Sequence, residues 1–219
     1  MASEASDAVA TRTPDAIFAK IARRYDVLNR VLSFGREQAW RREVVRHLPA
    51  GRLLDLGSGT GAANDVFGHR DVVALDPVPQ MLELSPIGDR VVALGETLPF
   101  NGATFDAVFS AYVFRNLDSV EQTMLEIKRV LRSGGVAGIL DLGRPKNSIL
   151  ASIHRMGSAV VLPLAGLTVG ARNEYTYLHH SLDKLPHPEA MFAETPLRLD
   201  SVWRMGPLGF AYGAVLTKV

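Results

Sequence analysis

The chain contains no cysteine in 219 residues. Disulfides, thiol nucleophiles and thiolate-held metals are therefore excluded, and the absence fits a reducing, cytoplasmic setting. The chain also lacks a charge excess of either sign, since 24 Lys and Arg against 23 Asp and Glu leave +1. Without a global basic signature, no nucleic-acid partner is expected. Nor is there a long apolar run. The longest uncharged stretch, Met156–Ala171, is too short to span a bilayer and contains Pro163. Residues 1–12 are small and polar with no secretory apolar core, and they read as a disordered tail. Histidines offer no metal site. His179 and His180 are adjacent and would diverge on a helix, while His154 and His187 have no carboxylate at ligand spacing.

What remains is ordinary soluble material, 47% hydrophobic and 21% charged, suited to one domain over residues 13–219. Thr13-Pro14-Asp15 reads as a helix start, followed by Ile17, Ile21, Tyr25, Leu28 and Leu32 on one face. Arg23, Arg24, Arg30, Arg36, Arg41, Arg42 and Arg46 crowd the same region. They fit either a solvated face or a basic surface that meets an anionic membrane. Residues 13–50 form this helical N-terminus, residues 51–145 a cofactor-binding half, and residues 146–219 a substrate cover with the final strands.

From Gly51 the pattern alternates. Strands are expected at Arg52–Leu56, Val72–Asp76, Val91–Leu94, Phe105–Ser110 and Val136–Leu142. A helix is expected over Ser119–Leu131, with Ser119 and Gln122 as a capping box and Gly134-Gly135 as its stop. Leu199–Met205 and Phe210–Thr217 form a hairpin about Gly206-Pro207-Leu208-Gly209. The expected fold class is α/β, a doubly wound, mostly parallel seven-stranded sheet closed by an antiparallel C-terminal hairpin.

The run Arg52-Leu-Leu-Asp-Leu-Gly-Ser-Gly-Thr-Gly61 ends a strand in a glycine-rich turn. Such a turn lets backbone approach a nucleotide-like ligand at the carboxyl edge of the sheet. Gly57, Gly59 and Ala62 also satisfy the dinucleotide pattern, so other residues must discriminate. Asp55 favours S-adenosylmethionine, since a buried carboxylate would repel a pyrophosphate but pair with an ammonium, unless it is instead a carboxylate bonded to the turn amides. Asp76, ending the second strand, can accept both ribose hydroxyls or else cap the Val78 and Gln80 amides. Leu98-Pro99-Phe100, Phe105-Asp106-Ala107-Val108 and Arg129-Val130-Leu131-Arg132-Ser133-Gly134-Gly135 resemble, in order and spacing, the seven-stranded S-adenosylmethionine-dependent methyltransferases.

The flanks narrow the resemblance. Phe18-Ala-Lys-Ile-Ala-Arg-Arg-Tyr25-Asp26-Val-Leu-Asn29, Leu32-Ser33-Phe34-Gly35, Trp40-Arg41-Arg42, Phe114-Arg115-Asn116-Leu117 and Tyr175-Thr-Tyr177-Leu178-His-His-Ser181 resemble the ubiquinone/menaquinone biosynthesis C-methyltransferases. The likeness runs from Phe18 to the final hairpin. It implies methylation of a ring carbon of a reduced, prenylated quinone precursor, with S-adenosylmethionine as cofactor. It implies cofactor contacts from Asp55, Gly57, Ser58, Gly59, Thr60, Gly61, Asp76, Pro77, Met81, Gly95, Glu96 and Ser110. Arg115 would stabilise a phenolate and Asn116 orient the ring, while Tyr25, Tyr112, Asp141 and Tyr177 would contact the acceptor. Arg115 could instead brace its loop by pairing with Asp118 or Asp141, and the two tyrosines Tyr25 and Tyr177 could be core aromatics.

The sequence departs from the family pattern in places. Ser85-Pro86-Ile-Gly88 replaces a fuller helix after the second strand. Leu94 stands where Asp or Asn usually reads the adenine amine, leaving that task to backbone at Gly95 or to Glu96. Asp141-Leu142-Gly143 and Ala211-Tyr212-Gly213 also differ. Val160–Val169 is apolar and suits either a prenyl groove or a buried or homodimer-interface helix. The same fold acting on oxygen or nitrogen of a soluble metabolite, and a non-catalytic cofactor-binding subunit, are the alternative functions.

Overall fold

Short apolar runs separated by helices and turns assemble into a seven-stranded sheet in the computed structural model of the chain. The structure describes residues 30, 33, 35–168, 181–183 and 185–219, with side chains given to residue 161 in the helix that ends at 168. The expected tail, the first helical stripe, Tyr25 and Tyr177 lie outside the described residues.

Strands β1 (Arg52–Leu56), β2 (Asp71–Asp76), β3 (Asp89–Val92), β4 (Phe105–Ala111), β5 (Leu131–Leu142), β6 (Arg198–Met205) and β7 (Ala211–Thr217) run in the order β3-β2-β1-β4-β5-β7-β6. The first five are mutually parallel, and β7 lies antiparallel between β5 and β6. Parallel strands are stable when both faces are covered. Leu54, Leu56, Val108, Ile139 and Phe192 fill one side, while Leu53, Ala74, Phe109, Leu140 and Trp40 fill the other. The mostly parallel sheet with its antiparallel hairpin is as the sequence predicts. Strand β5 starts earlier than expected. The chain leaves its helix at Leu131, and Gly134 and Gly135 join the ladder by exchanging amide bonds with Lys218.

Among the described residues, six α-helices flank the sheet: α1 (Glu37–Val45), α2 (Asn64–Phe67), α3 (Pro79–Leu82), α4 (Val120–Val130), α5 (Ser148–Thr168) and α6 (Pro188–Ala193). Helix α1 places Trp40, Arg41, Val44 and Val45 on its buried face. Trp40 meets Phe210 of the hairpin turn edge-on at 5.9 Å between ring centroids. Gln38 Nε2 donates to the Ala62 carbonyl at 2.8 Å, tying α1 to the glycine turn.

Helix α4 is capped by Ser119, whose Oγ accepts from the Gln122 amide at 3.1 Å. The reciprocal bond expected from the Gln122 side chain comes instead from Glu96, whose Oε1 accepts from the Asp118 and Ser119 amides. A carboxylate at a helix N-terminus satisfies orphan donors and complements the dipole.

Candidate active site

The carboxyl ends of β1, β2 and β4 open into one cavity. Asp55, Gly57, Ser58, Gly59, Thr60, Asp76, Pro77, Met81 and Gly95 line it together with Tyr112, Asn116 and Arg41. Nine of the twelve residues expected at the cofactor are thus brought together, as are two of those expected at the acceptor. Gly61, Glu96, Ser110, Arg115 and Asp141 stand outside this lining. Ser110 Oγ donates to the Leu56 carbonyl at 2.9 Å, joining β4 to β1. Glu96 is engaged at the start of α4.

The turn's amides are committed to the protein itself. Those of Gly57 and Ser58 donate to the Leu75 carbonyl at 2.8 and 2.9 Å, and that of Gly61 to Ser58. The Gly59 amide donates to Asp76 Oδ2 at 2.9 Å, while Asp76 Oδ1 accepts from the Val78 amide at 2.9 Å. Asp76 therefore does cap Val78, and at the same time it fastens the glycine turn to β2 beside the cavity. A pyrophosphate site needs free amides and the N-terminus of a helix. Here the amides of Gly57, Ser58, Gly59 and Gly61 are spent, and α2 is a single turn of four residues.

Two glycines are required by space as well as by conformation. Gly57 has φ +70°, and a Cβ there would lie 2.2 Å from Val113 Cγ2. Gly61 has φ +74°, and its Cβ would meet Ser85 Oγ at 2.4 Å and Pro86 Cδ at 2.7 Å. The short Ser85–Gly88 loop that replaces a fuller helix thus packs directly on the glycine turn.

Asp55 is 2% exposed, and its Oδ2 accepts no hydrogen bond among the described residues. Burial pushes its pKa up to about 7, against the opposing pull of the Ser58 hydroxyl and the Arg41 guanidinium and with a smaller push from Asp76. A desolvated carboxylate without a contact cation calls for a positive ligand group.

Tyr112 follows the last residue of β4 at φ +66°, a strained value for a residue with a side chain. Its amide donates to the Leu140 carbonyl at 2.7 Å, and its ring lies 5.5 Å from the Arg41 guanidinium carbon and 6.0 Å from that of Arg115. Asn116 donates from Nδ2 to the Tyr112 carbonyl at 3.2 Å and lines the cavity. Arg115 is 6% exposed and pairs with Asp141, which is fully buried. Asp141 also accepts from the Phe114 amide at 2.8 Å and the Leu142 amide at 2.7 Å. Of the alternatives for Arg115, the pairing with Asp141 is the one formed. Tyr212 sits opposite Asp141 in the β5–β7 ladder, and burial together with Asp141's charge holds its phenol well above the usual range.

Arg41 is the cavity residue that sequence reasoning placed elsewhere. The sequence places it in an arginine-rich region expected to be solvated or membrane-facing, yet it is 4% exposed. The available signal was its position within Trp40, Arg41, Val44, Val45 and Leu48, the helix's own apolar stripe.

Residues 7–195 match the family model described as the ubiE/COQ5 methyltransferase family. The chain is 38% identical to a demethylmenaquinone methyltransferase of Deinococcus radiodurans, over 80% of this chain and 79% of that protein. It is 36% identical to a ubiquinone/menaquinone biosynthesis C-methyltransferase UbiE of Syntrophotalea carbinolica, over 78% of each chain. In fold it is similar to the crystal structure of a SAM-dependent methyltransferase from Thermotoga maritima, with a TM-score of 0.69 at 16% identity, covering 93% of this chain and 99% of that one. Sequence, sheet order and relatives agree: this chain belongs to the ubiE/COQ5 methyltransferase family.

Proposed function

We propose that the protein methylates a ring carbon of a reduced, prenylated quinone precursor, with S-adenosylmethionine as methyl donor. The observation that carries the donor is Asp55, a buried carboxylate with no contact cation among the described residues, set beside a turn four of whose amides are already used. Those features fit an ammonium-bearing ligand and disfavour a pyrophosphate. Asp55 would face the ammonium, Asp76 the ribose hydroxyls, and Pro77, Met81 and Gly95 the adenine side. When bound, the sulfonium supplies an electrophilic methyl carbon.

The chain's task is to make a weakly nucleophilic ring carbon reactive. An adjacent phenol must lose its proton, and the resulting charge needs donors nearby. Asn116 lines the cavity and is assigned to orienting the ring. Arg115 lies one residue away, buried against Asp141, and is assigned to stabilising the phenolate through an intervening water. Tyr112, held in a strained conformation between Arg41 and Arg115, forms the wall against which the ring would pack.

The acceptor's prenyl tail is supported by α5. Ile149, Ile153, Met156 and Val160 are 53–73% exposed and recur at helical spacing along one face. Lys146, just before α5, and Arg155, within it, have side chains 71% and 58% exposed and pair with Glu189 and Asp183. An apolar stripe with basic neighbours suits contact with an anionic bilayer surface from the cytoplasmic side. Among the described residues, no helix is long and apolar enough to cross a membrane.

The test is methyl transfer from S-adenosylmethionine to prenylated quinols, unprenylated quinols and soluble catechol or amine acceptors, with and without anionic vesicles. Turnover confined to prenylated quinols and enhanced by vesicles supports the reading. Equal or better turnover of soluble catechols or amines would overturn it.

A further inference from the structure

The cavity holds two opposite charges that do not touch. Asp55 and Arg41 are 2% and 4% exposed and line the same space. Yet no ion pair within 4 Å joins them among the described residues, and the Ser58 hydroxyl is the side-chain hydrogen-bond partner that Asp55 has there. Arg41 Nη1 and Asp55 Oδ2 are both fully enclosed and without partners. Buried opposite charges normally close on each other, because each left alone carries several kcal/mol of unrelieved desolvation.

Each charge is carried by its own element. Asp55 is fixed within β1, paired with Ala74 and Phe109 on either side. Arg41 is fixed by α1, which the Gln38 bond to Ala62 and the Trp40 contact with Phe210 hold over the glycine turn. Its guanidinium rests on the Tyr112 ring rather than reaching into the cavity's far wall.

We propose that Arg41 and Asp55 form a split pair that receives an α-amino acid zwitterion, with Arg41 binding the α-carboxylate and Asp55 the α-ammonium. The inference rests on the reading of the donor as S-adenosylmethionine, and it assigns Arg41 to recognition of the donor's amino-acid end. A planar guanidinium matches a carboxylate with two parallel bonds, which a lysine cannot reproduce. A ligand bearing both groups satisfies both buried charges at once, whereas one lacking the carboxylate leaves Arg41 as it is in the free protein.

The experiment is calorimetric titration of the full chain and its Arg41→Gln, Arg41→Ala and Arg41→Lys variants at about pH 8.5, where Asp55 is ionised. Three probes are used: S-adenosylhomocysteine, its decarboxylated counterpart that keeps the ammonium, and 5′-methylthioadenosine, which lacks both groups. Arg41→Gln keeps most of the side chain's bulk, so charge is tested without opening a hole.

The unmodified protein is expected to prefer S-adenosylhomocysteine over the decarboxylated probe by about tenfold or more. Arg41→Gln and Arg41→Ala should lose about that factor for S-adenosylhomocysteine and less than about twofold for the other two probes. Arg41→Lys should fall between. Equal weakening of all three probes would mean that Arg41 only supports the wall, and would overturn the inference while leaving the donor reading intact. Failure of the unmodified protein to bind any probe would overturn the donor reading and the inference with it.

Discussion

Asp55 carries its carboxyl into the interior without a cation at contact distance, and its pKa of about 7 records the cost of burial. An ammonium binds the ionised form. S-adenosylhomocysteine affinity is therefore predicted to fall about tenfold per pH unit below about 7 and to level off above it. Calorimetric titration of the unmodified chain and of Asp55→Asn checks this, since the variant should lose the slope. The same shift has a stability consequence of defined sign. The folded value lies above the ordinary 3.8, so the folded protein keeps a proton that the unfolded chain releases. This contribution is present below about pH 4 and is lost as pH rises to about 7. Asp55→Asn should gain more stability at pH 7 than at pH 4 in urea unfolding. Asp141→Ala should instead destabilise by about 3–5 kcal/mol, because it strands Arg115 in the interior. Urea unfolding checks that as well, and a loss below about 1 kcal/mol would contradict the brace. Asp55, Asp76 and the glycines were legible in sequence because strand end, turn and acid follow one another along the chain. Arg41 and the Arg115–Asp141 pair were less so, since burial and pairing across 26 residues are set by how α1 and β5 pack.

Helix and turn boundaries show where local signals suffice. The start of α4 was readable from Ser119, yet half of its cap belongs to Glu96, which lies in the loop after β3. No pattern local to the helix encodes that bond. Glu96→Ala should cost about 1 kcal/mol of stability through the lost cap, measured by chemical unfolding. A far larger effect on S-adenosylhomocysteine affinity than on stability would restore Glu96 to adenine recognition. The glycine turn gives a sharper test. Gly57→Ala forces a side chain into φ +70° and against Val113, and should cost about 1–3 kcal/mol from backbone strain alone, with the clash added. Val113→Ala in the same chain should recover the clash but not the strain, a partial rescue readable in the denaturation midpoints of the single and double variants. Full rescue, or none, would contradict that division.

At the scale of the molecule, alternating strands and helices made the sheet legible, because the two periods differ and each run is long enough to be counted. The antiparallel hairpin was legible from its Gly-Pro turn, and the displaced start of β5 was not, since Gly134 and Gly135 look like a stop until Lys218 pairs with them. The acceptor side is the least encoded locally. As proposed, it would be assembled from the loop after β4, the end of β5 and α5, which are distant in sequence, so the acceptor assignment rests on the family and on α5's exposed face rather than on a motif. The most direct measurement is the position of the new methyl group: incubate the protein with isotopically labelled S-adenosylmethionine and a demethylated prenylated quinol in anionic vesicles, then locate the label in the product by NMR. Label is expected on a ring carbon, bonded to no oxygen. Label on a phenol oxygen, or no transfer in a protein that binds S-adenosylhomocysteine, would contradict C-methylation.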